Sequence, residues 1–176
     1  MDIVKTATDW ARAEVLSSSF FILTGGLYLI ASFGFWQLGR TEIARAYTIP
    51  TLVAGGLLLI IGVGILLPSL SRLSSFPADY ANDASAFLTA ELTRADKVLN
   101  EYRIAVFRVI PAIIIFCAVL VVLLDGPLWR TSLITTISLM AVVMLIDTNA
   151  NARLEDYSEK LRTTAQQHGG DIACIG

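Results

Sequence analysis

Four stretches of this chain carry no charged residue: 15–39, 46–71, 109–124 and 131–146. They are 25, 26, 16 and 16 residues long. No other feature limits the fold as strongly. An α-helix rises about 1.5 Å per residue, so about 20 residues cross a hydrocarbon core of ~30 Å. The first two runs meet that length. The last two fall short of it, which pulls the charges at their ends toward the membrane boundaries.

Composition agrees. Hydrophobic residues make up 55% of the 176 and charged residues 16%, with a mean hydropathy of +0.68. A soluble domain has about 25% charged residues. A core of this size cannot hold the surplus of apolar side chains, and a bilayer can. The net charge of −2 implies neither nucleic acid nor an acidic surface as partner.

The expected fold is therefore an all-α integral membrane protein with four transmembrane helices. Residues 1–71 form an N-terminal interfacial segment and a first membrane hairpin. Residues 72–103 form an amphipathic cytoplasmic helix. Residues 104–148 form a second hairpin, and residues 149–176 a cytoplasmic helical extension ending in a frayed tail after His168-Gly169-Gly170. Helices three and four are expected to continue into water as an antiparallel pair.

Local signals fill in this outline. Residues 1–14 read as a short amphipathic segment, in its simplest form the first turns of the next helix lying in the interface, with Trp10 at headgroup level. No small-x-small cleavage pattern follows a short apolar core there. Gly26 and Gly34 lie eight apart on the first helix, and Gly55 and Gly62 seven apart on the second. Each pair shares a face on which another helix can come close. Residues 40–45 read as a polar loop. Arg72-Leu-Ser-Ser-Phe-Pro77 reads as a breaker, with Pro77 in the first turn of a new helix. A stripe through Leu88 and Leu92 recurs near every 3.5 residues, and Leu154 and Leu161 continue a second stripe. These two stripes are expected to meet and to form the cytoplasmic contact. Pro111, inside a continuous helix, predicts a kink.

Charge placement sets orientation. Ten of the thirteen Lys and Arg residues (Lys5, Arg12, Arg72, Arg94, Lys97, Arg103, Arg108, Arg153, Lys160, Arg162) fall on one side; Arg40, Arg45 and Arg130 fall on the other. The richer side is expected to be cytoplasmic, with both termini there, in a bacterial inner membrane. Trp36, Tyr47 and Trp129 would mark the outer interface, Trp10 and Phe76 the inner one. Leu38-Gly39-Arg40-Thr41 resembles Leu128-Trp129-Arg130-Thr131, a faint sign of duplication.

Candidate chemistry is sparse. Arg108 and Asp147 face one end of the second hairpin, and Asp125 and Arg130 the other. They serve as boundary ion pairs or, in a sharper reading, as an ion or proton gate. Thr131, Thr135 and Ser138 make a polar face on helix four. It either bonds helix to helix or lines a conduction path with help from Ser17, Ser18, Ser19 and Thr24. Asp147, Asn149, Asn151, Glu155 and Asp156 offer oxygens but no glycine turn, so they read as solvated helix. His168, Asp171 and Cys174 are too sparse for a metal site. Cys117 reads as a packing residue, and no C-x-x-C pair is present. No H-E-x-x-H, G-x-S-x-G or P-loop pattern occurs. No cofactor is expected.

The function this predicts is that of a non-catalytic membrane subunit, structural or regulatory, acting by assembly. Its partners would be the bilayer and either further copies of itself or another membrane protein, not nucleic acid. The alternatives are a small oligomeric channel or transporter gated near Arg108 and Asp147, and, behind it, a lipid-modifying enzyme.

Overall fold

The computed structural model describes residues 3–173, with side-chain surroundings for 3–164 and 166. The described chain is helical throughout: α1 (Ile3–Leu38), α2 (Glu42–Ala46), α3 (Thr48–Asn82), α4 (Ala84–Ile104), a π turn (Ala105–Val109), α5 (Ile110–Leu123) and α6 (Pro127–Ala173). Among these residues four helical stretches are long and apolar enough to cross a membrane. They place both ends of the described chain on one side, called here the terminal side. The short connections at 39–47 and 124–126 lie on the other, the turn side.

Three helices outrun the bilayer. α1 has 36 residues, α3 has 35 and α6 has 47. At about 1.5 Å per residue these lengths exceed a ~30 Å hydrocarbon core. The surplus of all three lies on the terminal side, where α4 joins them. Ile3, Ala7, Trp10 and Ala11 of α1, Phe76 of α3, Phe87, Leu88 and Ala95 of α4, and Leu154, Tyr157 and Leu161 of α6 form one buried cluster.

This core corrects several expectations. Residues 3–14 are the first turns of a long helix, and they enter this core rather than lie in the interface. Trp10 is 6% exposed and Phe76 3%, so both are core residues rather than boundary markers. The helix pair is not alone, because the ends of α1 and α3 complete it. Arg72–Pro77 does not break the chain, and the boundary at 71/72 falls inside α3. Pro77 in a helix interior costs about 3 kcal/mol in isolation. Burying Phe76, edge-on to Phe87 at 5.5 Å, offsets much of that. The break comes at Asp83, whose carboxylate accepts from the amides of Ser85 and Ala86 at 3.0 Å each and caps α4. Nor does α6 stop at Gly169-Gly170; it runs on to Ala173.

Two further details differ. The expected loop at 40–45 is largely taken up by the short helix α2, which ends at Ala46 and is capped by Thr41, whose hydroxyl accepts from Ala44 N at 3.1 Å. The matched segments at Arg40-Thr41 and Arg130-Thr131 thus differ locally, since Thr41 is a cap and Thr131 lies inside α6. The expected kink at Pro111 takes the form of a π turn. Ile110 N–H reaches back five residues to Ala105 O. The extra residue falls where the proline ring meets the Phe107 carbonyl four positions back.

Within the membrane, α1 and α3 are closely apposed. α5 touches only α6 and the π turn, and α6 alone joins it to the first hairpin.

Candidate functional site

Polar side chains gather at two levels. The first is the junction on the terminal side. Along α1, Ala7, Ala11, Glu14, Ser18, Phe21, Gly25, Tyr28 and Ser32 recur at alternating steps of four and three. This seam places small residues where other helices must approach. Beside it, the Glu91 carboxylate (7% exposed) accepts from Arg94 Nε at 3.1 Å, from Arg94 Nη2 and from the Tyr157 hydroxyl at 3.0 Å. The Arg94 guanidinium lies 4.3 Å from the Trp10 ring centroid, and the same indole stacks on Tyr157 at 5.0 Å. One turn of α1 nearer the membrane, Glu14 accepts from Ser69 Oγ at 3.1 Å and from Arg72 at 3.3 Å. Arg153 of α6 donates to Ala13 O at 3.3 Å and to Ser17 Oγ.

Each of these carboxylates meets a guanidinium and at least one hydroxyl. The arrangement ties α1, α3, α4 and α6 together. Among the described residues no three His, Cys, Asp or Glu side chains lie close enough to hold a metal ion.

The second set runs along α6 from the turn-side boundary at Thr131 to mid-membrane at Ser138. Thr131 is 1% exposed and donates to Ala46 O at 3.2 Å or to Leu128 O at 3.1 Å. Ser138 meets the Tyr28 hydroxyl of α1 at 2.5 Å. Thr135 is 5% exposed, and its hydroxyl is the one buried side-chain polar atom without a partner among the described residues. The polar face of α6 is thus turned toward α1 and α3. A groove of about 400 Å³ runs along it, bordered by Tyr28, Phe35, Tyr47, Thr51, Thr135 and Ser138.

The remaining candidates separate. Arg108 is exposed and Asp147 half-buried, and no ion pair joins them. Asp125 and Arg130 do pair, at 2.8 Å, on the turn side. Gly55 and Gly62 sit at the α1–α3 contact, whereas Gly26 and Gly34 face open space. Gly25 takes the expected place: a Cβ there would lie 3.0 Å from Gly55 O, and one on Gly55 2.9 Å from Gly25 O. Leu88, Leu154 and Leu161 are buried and Leu92 partly so, within the chain's own core rather than on an outer contact surface. Asn151, itself buried, donates to Glu155 at 3.0 Å along α6, a part-buried pair within one helix. His168, Asp171 and Cys174 lie outside the described side chains.

Sequence reasoning missed Glu14, Glu91, Arg94 and Arg153 as junction residues. The signal for Glu14 is its place in the four-three seam of small residues. For Glu91 and Arg94 it is a three-residue helical spacing beside the apolar stripe.

Comparison with protein-family profiles, curated proteins and solved structures gives no match. The functional reading therefore rests on these residues.

Proposed function

We propose that this chain is a non-catalytic subunit of a membrane assembly, with its termini and four-helix core in the cytoplasm. The observation that carries this reading is the isolation of α5. Of its fourteen residues only Ile110 and Cys117 are buried, and α6 is the sole membrane helix it touches. Ile115, Phe116, Val119 and Val122 form an outward surface on a helix that the first hairpin does not meet. Membrane helices associate through packing rather than through water exclusion. A helix held by one neighbour, with large side chains outward, has the form of a contact surface for a second copy. The basic residues of the terminal side support the orientation.

Two of the three hydroxyls that would line a channel, on Thr131 and Ser138, bond to groups of their own protein, which favours the subunit reading; that of Thr135 has no partner among the described residues. The test is the size of the full chain in nanodiscs after extraction in mild detergent. An oligomer that Phe116→Ala dissociates, with helicity unchanged, is the expected result. A monomer, alone at every concentration, would reject the proposal, as would an ion flux in liposomes that Asp147→Asn abolishes.

A further inference from the structure

The groove between α1 and α6 poses a problem of hydrogen-bond supply. Tyr28 and Ser138 each own one O–H. Their contact at 2.5 Å uses one of the two, whichever donates. The other proton finds no acceptor among the described residues. Thr135, bordering the same groove, has a third O–H with no acceptor. Other hydroxyls of the membrane helices, such as Thr24, Thr51 and Thr136, bond back to carbonyls of their own helix. In hydrocarbon an unmatched hydroxyl is costly, because no solvent compensates it.

Depth narrows what could accept these protons. At about 1.5 Å per residue, Tyr28 lies some 15 Å along α1 from Leu38 and some 21 Å from Glu14. Ser138 lies about 16 Å along α6 from Pro127 and about 14 Å from Asp147 on the same rise. Both sit near the middle of the hydrocarbon, whereas phospholipid ester groups stay at its edges. The groove also reaches Phe35 and Tyr47 toward the turn side, and the acceptor that suits the Tyr28–Ser138 depth is an oxygen that a lipid-soluble molecule carries inward. The rings of Tyr28, Phe35 and Tyr47 border the space beside it.

We propose that this groove binds a lipid-soluble carbonyl compound, of the quinone or long-chain ketone class. Its oxygen accepts from the Tyr28–Ser138 pair and, after rotation about the Thr135 Cα–Cβ bond, from Thr135. The site lies within one chain and needs no partner, so it stands or falls apart from the assembly proposal.

The test uses the full chain in phosphatidylcholine nanodiscs with three probes: decylbenzoquinone, a 2-alkanone of matched length and decylbenzene. Uptake is measured above that of protein-free discs, with the infrared carbonyl band of the bound probe. Saturable uptake of a carbonyl probe is expected, with the band moved to lower wavenumber. Uptake of the quinone alone would assign a ring-selective site; uptake of both would assign a site that reads only the oxygen. Tyr28→Phe combined with Ser138→Ala, and separately Thr135→Val, should each weaken uptake roughly tenfold, while Thr135→Ser keeps it. Equal saturable uptake of decylbenzene, no saturable uptake of either carbonyl probe, or insensitivity to all these substitutions overturns the proposal. Should a variant fail to fold, the unaltered chain still decides, because an unshifted carbonyl band overturns it as well.

Discussion

The two membrane hairpins are built from similarly apolar helices and end up differently packed. In the first, α1 and α3 meet at backbone distance through Gly25, Gly55 and Gly62. Ser32 adds a hydrogen bond across to Thr48 O at 2.8 Å. In the second, α5 is rich in Ile, Val and Leu, and only Ile110 and Cys117 are buried. A clasp from the first turn of α6 holds that turn: Arg130 to Asp125 at 2.8 Å, with Gly126 at φ 138° allowing the reversal. The difference separates two properties. Apolarity decides that a helix crosses the membrane, and small residues decide how closely it meets its neighbour.

The largest expected effect tests where the second hairpin is truly anchored. Leu161 of α6 is fully buried in the terminal-side core, while Val122 of α5 is 79% exposed. Leu161→Ala should cost about 2–5 kcal/mol, and Val122→Ala within about 0.5 kcal/mol of nothing, by reversible unfolding in detergent. Equal losses would mean that α5 contributes to the fold as much as the core does.

Next comes the glycine seam. Gly55→Ala places a methyl against the Gly25 carbonyl and should cost about 1–3 kcal/mol in the same assay. Gly26→Ala, whose methyl meets open space, should leave the fold as it was. A reversed order would move the α1–α3 contact to the face that the sequence favours.

The smallest effect belongs to the joint between the hairpins. Hydrogen bonds from the Ala86 amide, first, and from Ser85 hold the Asp83 carboxyl below its ordinary pKa. A lowered value means the cap's contribution is present above the ordinary Asp range and disappears as the pH falls through the lowered value. A carbon-detected titration of Asp83 should show a midpoint below that of an unstructured Asp. A midpoint at or above it would remove the cap from the description.

Legibility follows the same division. Exclusion of charge is a one-dimensional property, so the four spans could be read directly from the chain. The stripes through Leu88 and Leu161 were legible as stripes. Their partners were not, because α1 and α3 were expected to end at the membrane and instead supply Trp10 and Phe76 to the same core. Gly25 and Gly26 differ by one residue and about 100° of rotation. Only the phase of the seam from Ala7 and Ala11 selects the first. The Glu91–Tyr157 contact spans 66 positions, and no local pattern announces it. Thr135 was legible as a polar residue on the right face, but its missing partner depends on where α1 and α3 lie.

The π turn at Ala105–Val109 carries one residue more than an α-helical path would need. That surplus offsets the angular register of α5 from that of α4 by about a hundred degrees. α5 is greasy on every side, so nothing in its own composition tells it which flank to offer to α6. The choice is made upstream, by counting. Were all five residues wound as ordinary α-helix, α5 would roll about its axis and turn a different flank toward α6; dropping a single amino acid would undo that roll.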